Sequence, residues 1–332
     1  MDDTRGSCEN NVFNLISYDD FNDMYTMIES IGQGAFSETF KAIDNHNNRI
    51  VAIKFTYEED IKSEVTRGCD IKDKIFEFSD SFITFYNFGI TTHKIANEWN
   101  IVPGWFRYHR KNENKKVIHK EGDTIYFATS ELLYPISSDT LYDPSLDFKK
   151  VIDISPISDI LFETSYAIII LNLVYGEIHG DLHAGNVMLR RVDHHREYNI
   201  NGKVYTVRNN YMPAIIDLGI SVRDKSKECC PKELYEFYST FRYIVSRSFD
   251  YPEDIKDLYQ SNDPEIVTNV VFDYLKSNHS YYGENTKAFK PILINEGVVT
   301  YKGELVNESA NLNCKVCGRY LYKQDIHSYD YY

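Results

Sequence analysis

The sequence lacks an apolar run long enough to cross a membrane. The largely apolar stretch Tyr166 to Tyr175 has 10 residues, about half of the roughly 20 that a transmembrane helix needs. The segment after Met1 is acidic and polar and shows no signal-peptide pattern. We therefore expect a cytoplasmic protein that does not insert into a membrane.

Positive charge and linker residues are also scarce. Lys and Arg number 36 against 50 Asp and Glu, which gives a net charge of −14. This charge opposes generic binding to nucleic acid or to an anionic membrane surface. The 332 residues are 42% hydrophobic and contain no linker rich in Pro, Gly or Ser. This composition predicts one folded unit with a substantial core.

Cysteine is limited to six residues. Without a secretory signal, these cysteines are expected to be reduced thiols. Cys314 and Cys317, followed by His327, have the spacing of half a zinc site. A structural zinc site needs four ligands, and no second pair has suitable spacing, so a plain surface turn is the alternative.

The most informative segment that is present runs from His179 to Asn186, with the sequence HGDLHAGN. It places Asp181 and Asn186 five residues apart in a short loop after an apolar helix. Phosphoryl transfer needs a carboxylate beside the attacking hydroxyl, and an amide oxygen from the same loop that reaches a magnesium ion. The spacing therefore indicates a phosphotransferase loop.

Three further features occur in a compatible order. Gly32 and Gly34 form a glycine-rich turn between two predicted strands, and Lys54 lies 22 residues beyond Gly32 in a β-rich run. Downstream, a short apolar strand ends at Asp217, two residues before Gly219.

Together these segments resemble the protein kinase superfamily. Lys54 matches the lysine of the V-A-I-K motif, Asp181 and Asn186 match the catalytic-loop pair, and Asp217 matches the aspartate of D-F-G. The resemblance implies an α+β, two-lobed protein kinase-like fold that binds ATP and Mg²⁺.

The predicted organisation follows from this resemblance. Residues 1–23 are expected to be an acidic, loosely ordered leader, and residues 24–332 a single kinase-like domain. Within it we expect a β-rich N-lobe at about 24–131 and a mainly helical C-lobe at about 132–332.

The resemblance also assigns the candidate site. The catalytic residues are Asp181, Lys54, Asn186 and Asp217, with Asn186 and Asp217 as the metal ligands. The cofactor-binding residues are Ile31, Gly32, Gly34, Thr39, Ala52, Lys54, Glu64, Glu131 and Leu133.

Glu64 is the expected ion-pair partner of Lys54, on a helix predicted near Glu58 to Phe78, with Glu58 and Glu59 as rivals. At the hinge between the lobes, the resemblance makes Ser130 the gatekeeper. Glu131 and Leu133 would offer backbone groups to adenine.

Several residues depart from the common kinase pattern. Ser37 replaces the third glycine of the nucleotide loop, Gly180 replaces the arginine of H-R-D, and His183 replaces a frequent lysine. Pro231 lies only 12 positions after Gly219, so the activation segment is short. These features are similar to compact atypical kinases, such as the RIO family and the KEOPS-complex kinase, and to aminoglycoside-type phosphotransferases.

Two polar segments are unusually long. The stretch from Thr92 to Gly122 interrupts the β-rich part, and it is either a docking loop or simply solvated. The stretch from Arg190 to Met212 carries Asn201-Gly202 between alternating flanks, which predicts a β-hairpin protruding near the active cleft. His179 is expected to be structural, and the role of His183 stays open between phosphate binding and filling space.

The first functional hypothesis is a serine/threonine protein kinase that transfers the γ-phosphate of Mg-ATP to a protein hydroxyl. The alternatives are a small-molecule phosphotransferase on the same fold and an ATP-binding pseudokinase scaffold. In its abundance of Tyr, with 27 residues, and in its atypical insertions, the sequence is similar to divergent kinases of large DNA viruses or of AT-rich protists. A viral origin would place the protein in the host cytoplasm or the virion.

Overall fold

The structure, a computed structural model, describes residues 13–33, 37–56, 60–92, 124–135, 157–200, 202–208, 210–223, 233–234, 237 and 286–291. Predictions made for other residues lie outside this part of the chain. They concern Gly34, Glu58, Glu59, the 93–122 insertion, Pro231, Cys314, Cys317 and His327.

A six-stranded sheet dominates the first half of the described chain. Its strands are β1 (Asn14–Leu15), β2 (Tyr25–Gln33), β3 (Ser37–Asp44), β4 (Arg49–Thr56), β5 (Phe85–Thr92) and β6 (Thr124–Glu131). They lie in the order β1-β5-β6-β4-β3-β2, and every pair is antiparallel except β1 with β5.

Helix α1 (Tyr18–Met24) belongs to this sheet's core. Phe21 is fully buried, and its ring centroid lies 5.0 Å from those of Tyr25 and Phe127. Ser17 caps the helix by accepting a hydrogen bond from the Asp20 N–H. The expectation of a loosely ordered leader is therefore wrong for residues 14–23, because burial of Phe21 outweighs the acidic character of its neighbours.

Helix α2 (Asp60–Ile75) packs against β5 and β6, within the range predicted from 58 to 78. Ile61, Glu64, Val65 and Gly68 are buried on one face, as their spacing predicts. A Cβ at Gly68 would lie 2.5 Å from Cε2 of Phe85, so only glycine permits this close approach of helix and strand.

Helix α3 (Ile157–Ile170) is the buried helix predicted before the catalytic loop, and it continues into a π-helical turn (Leu171–Tyr175). Every residue from Ile160 to Asn172 is buried. The turn ends at Gly176, whose φ of 77° is a left-handed conformation that glycine adopts readily.

Short strands surround the loop that follows. They are β7 (Tyr134–Pro135), β8 (Glu177–Ile178), β9 (Val187–Arg191), β10 (His195–Ile200), β11 (Lys203–Val207), β12 (Tyr211–Ile215), β13 (Val222–Arg223) and β14 (Thr286–Ala288). They form three small sheets, ordered β12-β9-β7, β11-β10-β14 and β13-β8.

The predicted hairpin at Asn201-Gly202 is confirmed, because Ile200 pairs with Lys203 and Gly202 has a φ of 80°. The predicted protrusion is wrong. Arg196 and Tyr198 are fully buried against α3, where both bond to the carboxylate of Glu163 at 2.6 to 3.0 Å. An internal ion pair and aromatic packing hold the hairpin against the helix.

Two further expectations can be compared with the structure. The α+β class is confirmed, and the sheet precedes the buried helix as in a kinase-like fold. Cys69 on α2 forms a disulfide, so the expectation of reduced thiols is wrong for this residue. No helix in the described ranges combines the length and the apolar character needed to cross a membrane.

Candidate active site

Lys54 lies in the middle of β4, and its ammonium is 2.7 Å from Oε2 of Glu64 on α2. Burial alone lowers the pKa of Lys54, but the carboxylates of Glu64 and Asp217 outweigh this effect and raise the pKa above its ordinary value. The ammonium therefore stays charged. The structure forms the predicted ion pair, whereas phosphate clamping by Lys54 stays a prediction.

The strands around Lys54 bring most of the predicted nucleotide-binding residues together. Thr39 on β3 lies opposite Gly32 on one side and Lys54 on the other. Ala52 is buried on β4, two residues before Lys54. Ile31 is half-buried at the end of β2, and Gly32 is exposed beside it. An exposed glycine at this edge leaves the backbone open to approach by a phosphate.

The loop from His179 to Asn186 is anchored by His179, which is fully buried. Its Nε2 donates to the Ile216 carbonyl at 2.8 Å, and its Nδ1 accepts the Asp181 N–H at 3.3 Å. Burial lowers the pKa of His179 to about 4, so the ring is neutral and bridges the loop to the segment before Asp217. This geometry agrees with the structural role expected for His179.

Asn186 is oriented by the same loop. Its side-chain nitrogen donates to the Asp181 carbonyl at 2.9 Å, and its backbone carbonyl accepts the Ile216 N–H at 2.9 Å. This hydrogen bond fixes the orientation of the amide group, whose oxygen is the atom that can bind a cation.

Asp217 stands at the junction of this loop, α2 and β4. Its φ of 61° is one of two positive values among the described non-glycine residues. Such a conformation costs free energy and is often found at functional sites. One carboxylate oxygen lies 4.0 Å from the Lys54 ammonium. The fold thus brings Lys54, Asn186 and Asp217 together from three distant segments.

His183 lies beside the carboxylate of Asp181. Its Nδ1 accepts the Gly185 N–H at 3.0 Å, which leaves the proton on Nε2, 3.9 Å from Oδ2 of Asp181. Burial raises the pKa of Asp181 and nearby Asp217 raises it further, while His183 acts in the opposite direction. A carboxylate with a raised pKa is better suited to accept a proton than an ordinary surface aspartate.

The predicted hinge residues lie at the end of β6, which pairs with β4. Ser130 pairs with Ala52 and Ala128 pairs with Lys54, so these side chains share one face of the sheet. Both Ser130 and Ala128 are small and buried, which leaves room behind the predicted nucleotide position. Leu133 is buried at the end of the hinge.

Sequence reasoning missed two interactions. The first is the contact of Glu233 with the loop from His179 to Asn186. The buried Glu233 carboxylate accepts the backbone N–H groups of His179 at 3.1 Å and of Gly180 at 2.5 Å. The second is the side chain of Glu131, which binds Arg190. No local motif marks either contact, because the partners are 53 or more residues apart.

The donor set suits magnesium. Mg²⁺ usually binds one or two protein carboxylates or amides together with substrate phosphates and water. Asp217 and the amide oxygen of Asn186 supply such a pair, and the Asp217 side chain is 50% exposed. Among the described residues no cluster of three or more Asp, Glu, His and Cys could enclose a metal alone.

No family model matches the sequence. A crystal structure of the PF14_0431 kinase domain aligns over 77% of this chain and 75% of that chain, with 12% identical residues and a TM-score of 0.39. A likeness at this level carries no information about the activity of the chain.

Proposed function

We propose that this protein is an ATP-dependent phosphotransferase, and specifically a serine/threonine protein kinase. The observation that carries the proposal is the meeting of one ammonium, two carboxylates and one amide at a single site. Lys54 is 2.7 Å from Glu64 and 4.0 Å from Asp217. The side-chain amide of Asn186 donates to the backbone carbonyl of Asp181, which lies in the same loop.

Each residue has a role in direct, in-line transfer of the γ-phosphoryl group to a hydroxyl. Asp181 orients the acceptor hydroxyl and takes its proton, in keeping with its raised pKa. Lys54, steadied by Glu64, binds the α- and β-phosphates. The backbone near Gly32 covers the phosphates, and the hinge at Glu131 and Leu133 offers backbone groups to adenine.

Asn186 and Asp217 would hold the metal. Bound magnesium neutralises charge on the transferred phosphoryl group and its leaving oxygen. The protein contributes orientation here, because the amide of Asn186 is fixed by the Asp181 carbonyl and Asp217 by its turn.

A protein acceptor is the first choice because the lysine strand and glycine-rich turn resemble those of protein kinases. A small-molecule acceptor is the second candidate, and one observation favours it. Glu233 already supports the catalytic loop, only 16 residues after Asp217. Little chain is left between these residues to build a platform for a peptide.

The test is transfer of labelled γ-phosphate from Mg-ATP by wild type, Asp181→Asn, Asp217→Asn and the control Asp73→Asn. Asp73 is an exposed residue on α2. We expect transfer by wild type and the control alone, with nucleotide binding retained by Asp181→Asn and weakened by Asp217→Asn. Phosphoserine or phosphothreonine in a protein acceptor identifies a protein kinase, whereas transfer only to a metabolite identifies the alternative. Equal loss of ATP affinity in both variants would contradict the assigned roles, and ATP binding without any transfer would indicate a scaffold.

A further inference from the structure

Arg190 connects three segments through one guanidinium group. It lies on β9, four residues after Asn186. Its Nε and Nη2 donate to the two carboxylate oxygens of Glu131. Its Nη1 donates to the Asp80 carbonyl at 2.7 Å, and Nη2 also donates to the Phe82 carbonyl at 2.8 Å. A planar, five-donor guanidinium can satisfy such a set, whereas an ammonium cannot do so in the same geometry.

Glu131 is fixed equally well from its other side. Its Oε1 accepts the Thr84 N–H at 2.9 Å, and its own N–H donates to the Thr84 carbonyl at 3.1 Å. The Glu131 side chain is 11% exposed and that of Arg190 is 18% exposed. The pair is therefore mostly removed from water, and loss of one partner would leave the other charge buried and unpaired.

The surrounding backbone joins the same parts of the molecule. Tyr134, three residues after Glu131, pairs with Leu189 on β9. Ile215, the last residue of β12, bonds to the backbone of Ser81 at 2.9 Å and of Ile83 at 3.0 Å. The hinge, the loop after α2 and the strand leaving Asn186 thus form one connected unit, with the Arg190–Glu131 pair inside it.

We propose that the Arg190–Glu131 ion pair fixes the hinge relative to the loop that carries Asp181 and Asn186. Arg190 is then a positioning residue for the base of the nucleotide. This inference rests on the proposed function, since it assumes that the backbone of Glu131 and Leu133 meets adenine. Without the pair, the Glu131 carboxylate loses the two donors of Arg190, and the hinge backbone loses its fixed position. The phosphates are bound elsewhere, by Lys54 and the metal ligands.

The proposed role concerns the base of the nucleotide and not its phosphates. The two parts are therefore tested with separate probes, adenosine and magnesium tripolyphosphate, and the affinity for each is measured by calorimetry. The variants are Arg190→Ala, Arg190→Lys and Glu131→Gln. The matched control is Arg191→Ala, which removes the same charge from the next residue of β9, where the side chain is exposed. In Arg190→Ala we expect adenosine affinity to fall at least about fivefold, the lower end of typical coupling between sites, with tripolyphosphate affinity unchanged.

Arg190→Lys keeps the positive charge but lacks the planar set of donors. Its adenosine affinity should therefore lie between those of wild type and Arg190→Ala. In turnover assays, the KM for ATP should rise while kcat stays within about twofold, because the reacting groups are not displaced. The control Arg191→Ala should match wild type in every measurement.

Three results would overturn the inference: unchanged adenosine affinity in Arg190→Ala, an equal loss of both ligands, or full function in both Arg190→Lys and Glu131→Gln. If Arg190→Ala does not fold, as judged by circular dichroism, the milder Arg190→Lys and Glu131→Gln decide by the same comparison. Failure of wild type to bind either ligand would instead refute the proposed function, and the positioning role with it.

Discussion

Replacement of Glu64 by Gln tests the centre of the site with the smallest change in shape. The variant keeps the size of the side chain and an oxygen acceptor but removes the negative charge beside Lys54. At the observed 2.7 Å, an ion pair is worth about 6 kcal/mol at an effective dielectric constant of about 20. Asp217, at 4.0 Å, attracts the same ammonium by about 4 kcal/mol on this basis.

The variant loses the Glu64 attraction, whereas the Asp217 attraction is present in both proteins. As the ammonium moves from 4.0 Å into contact with Asp217, that second attraction strengthens by about 2 kcal/mol, so the net loss is about 4 kcal/mol. This loss lies within the roughly 3–5 kcal/mol typical of broken buried pairs, and it corresponds to about a thousandfold in kcat/KM. The displaced ammonium also competes with magnesium for Asp217, so the magnesium concentration giving half-maximal activity should rise.

The assay is steady-state phosphate transfer at varied ATP and magnesium, with Glu77→Gln as the control. Glu77 undergoes the same chemical change at a side chain that is 69% exposed. We expect the control to match wild type. A kcat/KM of Glu64→Gln within twofold of wild type would refute the reasoning, and so would an unchanged magnesium requirement.

Three further predictions concern the hinge, the buried helix α3 and the contact of Glu233 with the loop before Asp181. Ser130→Phe should abolish binding of bulky N6-substituted purine inhibitors that wild type accepts, since Ser130 is small and faces Ala52; equal inhibition of both proteins would place the hinge elsewhere. Burial, with the nearby Glu163 carboxylate, raises the pKa of Asp159 from 3.8 to about 7, so the folded state holds a proton that the unfolded chain loses. The free energy of unfolding should therefore fall as pH rises from about 4 to about 7, and urea titrations of Asp159→Asn should show a weaker fall. Glu233→Gln should lower kcat at least about tenfold with little change in ATP affinity, because its carboxylate accepts both N–H groups before Asp181; a change confined to ATP affinity would contradict this.

The sequence by itself determined the chemistry of the candidate site. Asp, Asn and Lys supply the carboxylate, amide oxygen and ammonium that phosphate transfer needs, and their spacing was readable without a structure. Periodicity also located α2 with Glu64 on its buried face, because the period of 3.6 residues is a local property. The Asn201-Gly202 turn was predictable for the same reason.

The tertiary structure decided which charges are internal. Arg190 and Arg196 were indistinguishable from solvated hairpin residues, yet one binds Glu131 and the other Glu163, 59 and 33 residues away. Glu233 gained its place beneath the catalytic loop in the same way. A charge is buried only where a partner from another segment repays its desolvation, and that partner is set by how the chain packs, which no local pattern records.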